Sequence, residues 1–302
     1  MKLFKLLSSF IFTFLAVSAV TVAQVPLYTF PEEDGTKNYY VKGEKGVKIF
    51  VEEKGDPKNP TIIFSSGYLT SRISWDPQWF DPEIYEKFHL IYVNIDNSNS
   101  YSLDLYAADL FAVFGKLFSE YDFKEKKIVL IGWSTGVPVS LNFMKNYSDI
   151  KIHGLVSISG LVNNTHNVDD KIAPFFQDMI DPQDNLFKVV SGIDGIFNLM
   201  SFKPFSDELR LLFLGSAAVA PLEYRLSAIV SYSVAEFYKT ISIPTLLVIG
   251  EKDIIFSMDH SLYFASLGQN VETIFYKEVG HCSLWENIKV LNKDIINFIS
   301  KI

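Results

Sequence analysis

The stretch that most constrains this chain runs from Lys127 to Pro138. It reads Lys127-Ile128-Val129-Leu130-Ile131-Gly132-Trp133-Ser134-Thr135-Gly136-Val137-Pro138. Ile128 to Ile131 are mostly β-branched and uninterrupted by polar residues, as suits a strand buried on both faces of a parallel sheet. Gly132-Trp133-Ser134-Thr135-Gly136 follows at once and fits G-x-S-x-G, a sharp strand-to-helix turn that lifts a serine hydroxyl above the sheet. A side chain at either glycine would collide with the neighbouring strand or helix. Val137 to Asn146 can then continue as a helix, with Pro138 in its first turn, where a missing N–H costs little.

Such a serine needs a base, and the base needs a carboxylate that fixes its tautomer. Two loops supply candidates. Gly250-Glu251-Lys252-Asp253 follows an apolar strand ending at Ile249, and Gly280-His281 follows one ending at Tyr276. Both side chains should emerge at the carboxyl ends of strands, the rim where open α/β sheets place their sites. The order Ser134, Asp253, His281 is that of α/β-hydrolases. Glu251 is the nearest rival for the acid.

With these residues in place, the chain resembles an α/β-hydrolase-fold serine hydrolase from about Tyr39 to its C-terminus, apart from residues 160–240. Ala107-Ala108-Asp109-Leu110 and Ile243-Pro244-Thr245-Leu246-Leu247 add to the likeness. The resemblance implies hydrolysis of an ester or related acyl bond through an acyl-enzyme, with no metal and no cofactor. It makes Ser134, His281 and Asp253 the catalytic residues, and the backbone N–H groups of Tyr68 and Thr135 the oxyanion donors. Acyl transfer or perhydrolysis on the same triad is the nearest alternative. A binding module that keeps the fold without turnover is another.

Two departures from the family pattern stand out. Ser66-Gly67 replaces the usual His-Gly after the third strand, which leaves open what supports that loop. Asp96-Asn97-Ser98-Asn99-Ser100 lacks the arginine and glycines of the usual motif after the fourth strand. His89, His153, His166 and His260 lack the company of His281. Cys282 reads as a small buried hydrophobe.

Taken in order, the pattern predicts an N-terminal hairpin over Tyr39 to Glu53, then strands alternating with helices. That alternation means a doubly wound, mostly parallel sheet of class α/β. Residues 160–240 break the rhythm with helical stretches at Asp184 to Leu199, Asp207 to Leu214 and Pro221 to Tyr238, and read as an inserted helical cap. The cap carries much apolar bulk, including Phe175, Phe176, Leu186, Phe187, Ile193, Phe197, Met200, Phe202, Leu211 and Phe213. Most of it is expected in the core and the rest as a roof over Ser134. A single helix is expected from Ser283 to Ile299.

The organisation follows: residues 1–23 a signal peptide, 24–159 and 241–302 the hydrolase core, 160–240 the cap. Lys2 and Lys5 precede an apolar run ending in Thr21-Val22-Ala23, the layout of a secretory leader, so a secreted or periplasmic protein is expected. An uncleaved membrane anchor is the alternative, although Ser8, Ser9, Thr13 and Ser18 weaken a lasting span. Composition narrows the partners. With 302 residues, 48% hydrophobic, there is ample core, and a formal charge of −8 without a Lys/Arg block argues against nucleic acid. One cysteine allows no internal disulfide. The three arginines, Arg72, Arg210 and Arg225, show no clamp for an anionic substrate. A small apolar acyl substrate is expected.

Overall fold

The computed structural model describes residues 35–94, 102–123, 126–164 and 170–302. The expected leader at residues 1–23, the 96–100 segment and His166 lie outside the described residues.

The hairpin forms from β1 (Lys37–Lys42) and β2 (Lys48–Lys54), paired antiparallel. There follow β3 (Thr61–Ser65), the short helices α1 (Asp76–Trp79) and α2 (Pro82–Tyr85), and β4 (His89–Asn94). Helix α3 (Leu103–Glu120) starts where the Ser102 hydroxyl accepts from the Leu105 N–H at 3.0 Å. It buries Tyr106, Leu110, Val113, Phe114 and Leu117 on one stripe. Then come β5 (Ile128–Trp133), α4 (Gly136–Asn146) and β6 (Gly154–Ile158).

Between β6 and the next strand lie α5 (Ala173–Met179), α6 (Leu186–Met200), α7 (Asp207–Ala218), α8 (Leu222–Arg225) and α9 (Ala235–Tyr238). The sheet resumes with β7 (Thr245–Gly250), α10 (Met258–Leu267) and β8 (Val271–Tyr276), and the chain closes with α11 (Ser283–Glu286) and α12 (Ile288–Lys301).

The eight strands form one sheet in the order β1-β2-β4-β3-β5-β6-β7-β8, parallel from β4 through β8. Every residue of β3, β5, β6 and β7 is buried, so helices cover both faces there, as crossover connections require. Because these strands run the same way, their carboxyl ends share one rim.

The last helix is tied to the front of the chain. The Asn292 amide on α12 donates to Pro77 O at 3.0 Å and Asp81 Oδ2 at 2.6 Å, and its Oδ1 accepts from Gln78 Nε2 at 2.8 Å. Trp285 Nε1 donates to Ser74 O at 3.1 Å.

Three local expectations change. The stretch from Pro221 to Tyr238 is not one helix. After α8 and a 3-10 turn at Leu226–Ile229 the chain extends into an isolated bridge, Asn163 with Ser233, before α9. Hydrogen bonds from Val234 N to Val162 O (2.8 Å) and Tyr232 N to Asn164 Oδ1 (2.6 Å) hold that extended piece. The last helix is broken at Asn287, whose φ −139° and ψ 44° leave the helical region and let α12 reach α1 and α2. Finally, the apolar bulk of the inserted helices is less buried than expected. Ile193, Phe197, Met200 and Phe213 are core, but Leu186, Phe187, Phe202 and Leu211 are exposed, Phe187 at 88%. Helices α6 and α7 pack on each other, and their outer sides have no further layer above them among the described residues.

Candidate active site

The turn after β5 has the strained geometry that its glycines foreshadow. Ser134 sits at φ 53°, a left-handed conformation costly for a residue with a Cβ, and its N–H is held by Ile158 O at 3.0 Å. A Cβ on Gly136 would lie 2.1 Å from Ser65 O, and one on Gly132 would lie 2.7 Å from Val137 N. Both positions therefore demand glycine, and the tight approach is what turns the serine outward at the rim.

The Asp253 and His281 loops are laced together. Glu251 N donates to Tyr276 O and Lys252 N to Val279 O, each at 2.9 Å. Asp253 Oδ1 accepts from Ile255 N at 2.8 Å and Phe256 N at 2.9 Å, which leaves Oδ2 aimed at His281 Nδ1, 2.8 Å away. His281 is 1% exposed. Its ring meets Phe256 edge-on at 5.0 Å between centroids and Trp133 at 5.8 Å. Trp133 Nε1 also donates to His281 O at 2.9 Å, so the residue next to Ser134 helps fix the histidine's backbone.

Ser134, Thr135, Gly67, Tyr68 and His281 all border one cavity. Its volume is about 170 Å³. Phe176, Ile193, Ile196, Phe197 and Met200 close it from the inserted helices, and among the described residues no Lys, Arg, Asp or Glu lines it. The three arginines are occupied elsewhere: Arg72 with Glu52 and Asp76, Arg210 with Asp194, Arg225 with Asp184.

The loop carrying Tyr68 finds other support than a histidine. Ser66 Oγ accepts from Trp75 Nε1 at 3.1 Å, and Thr70 Oγ1 donates to Gly67 O at 2.7 Å. Tyr68 stacks on Tyr224 at 5.5 Å, and its hydroxyl donates to Arg225 O.

Sequence reasoning missed Glu286. Its carboxylate accepts from Gly280 N at 2.9 Å and Phe202 N at 2.7 Å, bridging the His281 loop to the end of α6. Met200 O completes the joint by accepting from His281 N at 2.7 Å and Cys282 N at 3.1 Å. No motif marks Glu286; its role exists only once distant segments meet. Burial pushes its carboxyl above the usual range against those hydrogen bonds.

Elsewhere the histidines separate. His89 is fully buried between Thr61 Oγ1 and Glu53 Oε1, 3.1 Å from each. His153 Nδ1 accepts from Ile128 N at 3.0 Å, and burial, with Lys151 and Lys127 nearby, lowers its pKa. His260 lines the cavity, with Nδ1 3.1 Å from Ser257 Oγ. Cys282 is buried, and that burial pushes its thiol pKa well up. Among the described residues no group of three or more His, Cys, Asp and Glu is placed to hold a metal, and no helix is long and apolar enough to cross a membrane.

The sheet order, the elbow at Ser134 and the loops that meet at its rim define an α/β hydrolase. The sequence profile described as alpha/beta hydrolase fold matches residues 122–288, and the chain belongs to that family. The match makes it an enzyme of the hydrolase kind. A protein from Burkholderia cenocepacia assigned as an aryl esterase superposes with a TM-score of 0.76 at 25% identity, over 88% of this chain and 98% of its own. Esterase RhEst1 from Rhodococcus sp. ECU1013 gives 0.76 at 15% identity, over 87% and 98%. A bromoperoxidase from Bacillus anthracis gives 0.74 at 17% identity, over 87% and 100%. At such identities the last two speak for the fold alone. No curated protein matches the sequence closely enough to count as a relative.

Proposed function

We propose that the protein is an exported carboxylic-ester hydrolase working through an acyl-enzyme. The observation that carries this is the 2.8 Å contact of His281 Nδ1 with a buried Asp253 carboxylate, at the edge of the cavity that Ser134 also lines. Ser134 Oγ attacks the acyl carbon while His281 Nε2 takes its proton. Asp253 keeps the other ring nitrogen protonated and stabilises the imidazolium. The N–H groups of Tyr68 and Thr135 receive the oxyanion. His281 returns the proton to the leaving alcohol, then activates water to release the acid.

The inserted helices act as the cap. They supply the apolar wall at Phe176, Ile193, Ile196, Phe197 and Met200, which suits a small or medium uncharged acyl chain. Export rests on the leader-like residues 1–23, and the intact mass of protein recovered outside the cytoplasm is expected to begin at Gln24.

The test is a fluorophosphonate label followed by p-nitrophenyl esters. Ser134 alone should be labelled, and Ser134→Ala should abolish labelling and turnover. kcat/KM should rise from acetate to butyrate or hexanoate, by up to roughly fourfold per buried CH₂ at ~0.8 kcal/mol each. Labelling that survives Ser134→Ala would overturn the nucleophile and favour a binding module of the same fold. A flat chain-length profile would remove the cap from the acyl pocket.

A further inference from the structure

Two hydroxyls on the inserted segment stand out in this largely apolar cavity. Ser227 and Tyr232 both line it, and among the described residues neither Ser227 Oγ nor Tyr232 Oη has a hydrogen-bond partner, although both atoms are closed to solvent. Ser227 is 4% exposed. A buried hydroxyl without a partner is destabilising, and native structures retain few of them, commonly where a ligand or catalysis uses them. Asn164 at the same cavity is engaged: its Oδ1 accepts from Tyr232 N, and its amide donates to Val230 O.

Both hydroxyls hang from anchored backbone. Ser227 follows Arg225, whose carbonyl accepts the Tyr68 hydroxyl and whose side chain reaches Met179 O, Ala220 O and Asp184. Tyr232 is pinned by Asn164 on both sides, through its N–H and, at 3.3 Å, through its carbonyl. Their positions are thus fixed by contacts that do not involve the hydroxyls, which is how a preorganised binding group is built. Burial also keeps the Tyr232 phenol protonated, so it is available as a donor.

We infer that Ser227 and Tyr232 form a polar subsite that selects esters carrying a second, uncharged hydrogen-bonding oxygen. This rests on the ester-hydrolase reading of the same cavity. A neutral oxygen is indicated because hydroxyls can donate and accept, while among the described residues no Lys or Arg lines the cavity to neutralise a carboxylate. The oxygen can belong to the acyl or to the alcohol half of the ester, and matched pairs tell them apart. Ethyl 3-hydroxybutyrate against ethyl 3-methylbutyrate probes the acyl half. The alcohol half is probed by 2-hydroxyethyl butyrate against propyl butyrate. In each pair a hydroxyl replaces a methyl of similar size.

Hydrolysis followed by pH-stat should show wild type favouring the oxygenated member of one pair in kcat/KM. Ser227→Ala and Tyr232→Phe should each cut that ratio roughly 3- to 10-fold, the effect of losing one neutral hydrogen bond in a buried site. The same pairs titrated calorimetrically into Ser134→Ala give the preference as a Kd ratio without turnover. Loss of hydrolysis in wild type would count against the acyl-enzyme, and the subsite would still be judged on Kd. Ratios near one in both pairs, or a preference that survives both substitutions, would overturn the inference.

Discussion

At the scale of single residues, the acid of the site can be separated from its neighbour two positions away. Glu251 is exposed, and only its backbone joins the loop, donating to Tyr276 O. The Asp253 side chain is buried, accepts two backbone N–H bonds and faces His281. Asp253→Asn should lower kcat by something approaching ~10⁴, because the amide stabilises the wrong tautomer and no imidazolium. Glu251→Gln should change kcat less than twofold, roughly the noise of such a comparison; steady-state kinetics on p-nitrophenyl butyrate distinguish the two, and the reverse pattern would move the acid to Glu251. Ser134, Asp253 and His281 were legible as candidates because each follows a strand-like run, where backbone geometry leaves few choices. Ser227, Tyr232 and Glu286 were not, since their interest lies in what faces them across the fold, and periodicity is blind to that.

At the scale of elements, the pieces flanking Ser134 came out within a residue or two, the strand from Ile128 and helix α4. Those whose ends are set by distant partners did not. The stretch from Pro221 to Tyr238 yields to bonds with Val162 and Asn164, and Ser283 to Ile299 yields at Asn287. Helix α11 shows what such a break provides, because Glu286 at its end is placed to clasp both Gly280 and Phe202. Glu286→Ala should release the His281 loop and the end of α6 together, lowering kcat/KM about tenfold or more, each lost charge-assisted bond being worth ~1.5–3 kcal/mol. Glu286→Gln keeps one acceptor oxygen and should recover part of the rate. Because burial raises this carboxyl's pKa, acid weakens the clasp at a higher pH than for an ordinary glutamate, and the acid limb of kcat/KM should move when Glu286 is replaced. Superimposable pH profiles for wild type and Glu286→Gln would reject this coupling.

At the scale of the whole molecule, acid stability is expected to hinge on Glu53, buried on β2 beside His89 and Tyr121. Burial alone would raise its pKa, but the hydrogen bonds from His89 and Tyr121, with Lys37 nearby, outweigh it and hold the group at about 2 against an ordinary 4.5. A depressed carboxylate pKa contributes stability above the unfolded value, and that contribution drains away as pH falls from about 4.5 toward 2. Glu53→Gln should therefore cost about 3 kcal/mol at pH 7 and flatten the acid limb, as measured by urea unfolding across pH 2 to 7. An unchanged midpoint at pH 7 would refute it. The fold class was legible from strand and helix alternation alone, whereas the exposure of Leu186, Phe187 and Leu211 was not, because a helix's pattern cannot say whether another layer lies above it. The clasp of Asn292 on Pro77, Gln78 and Asp81 has a further consequence, one of timing. Contacts between chain positions this far apart form late, since the intervening loop must close first. Residues 77–81 leave the ribosome early and wait for nearly the whole polypeptide before their partner arrives. On the proposed mechanism, the serine elbow at Ser134 is synthesised long before His281, the base that would arm it, so a growing chain is expected to stay inert toward esters until that base is made.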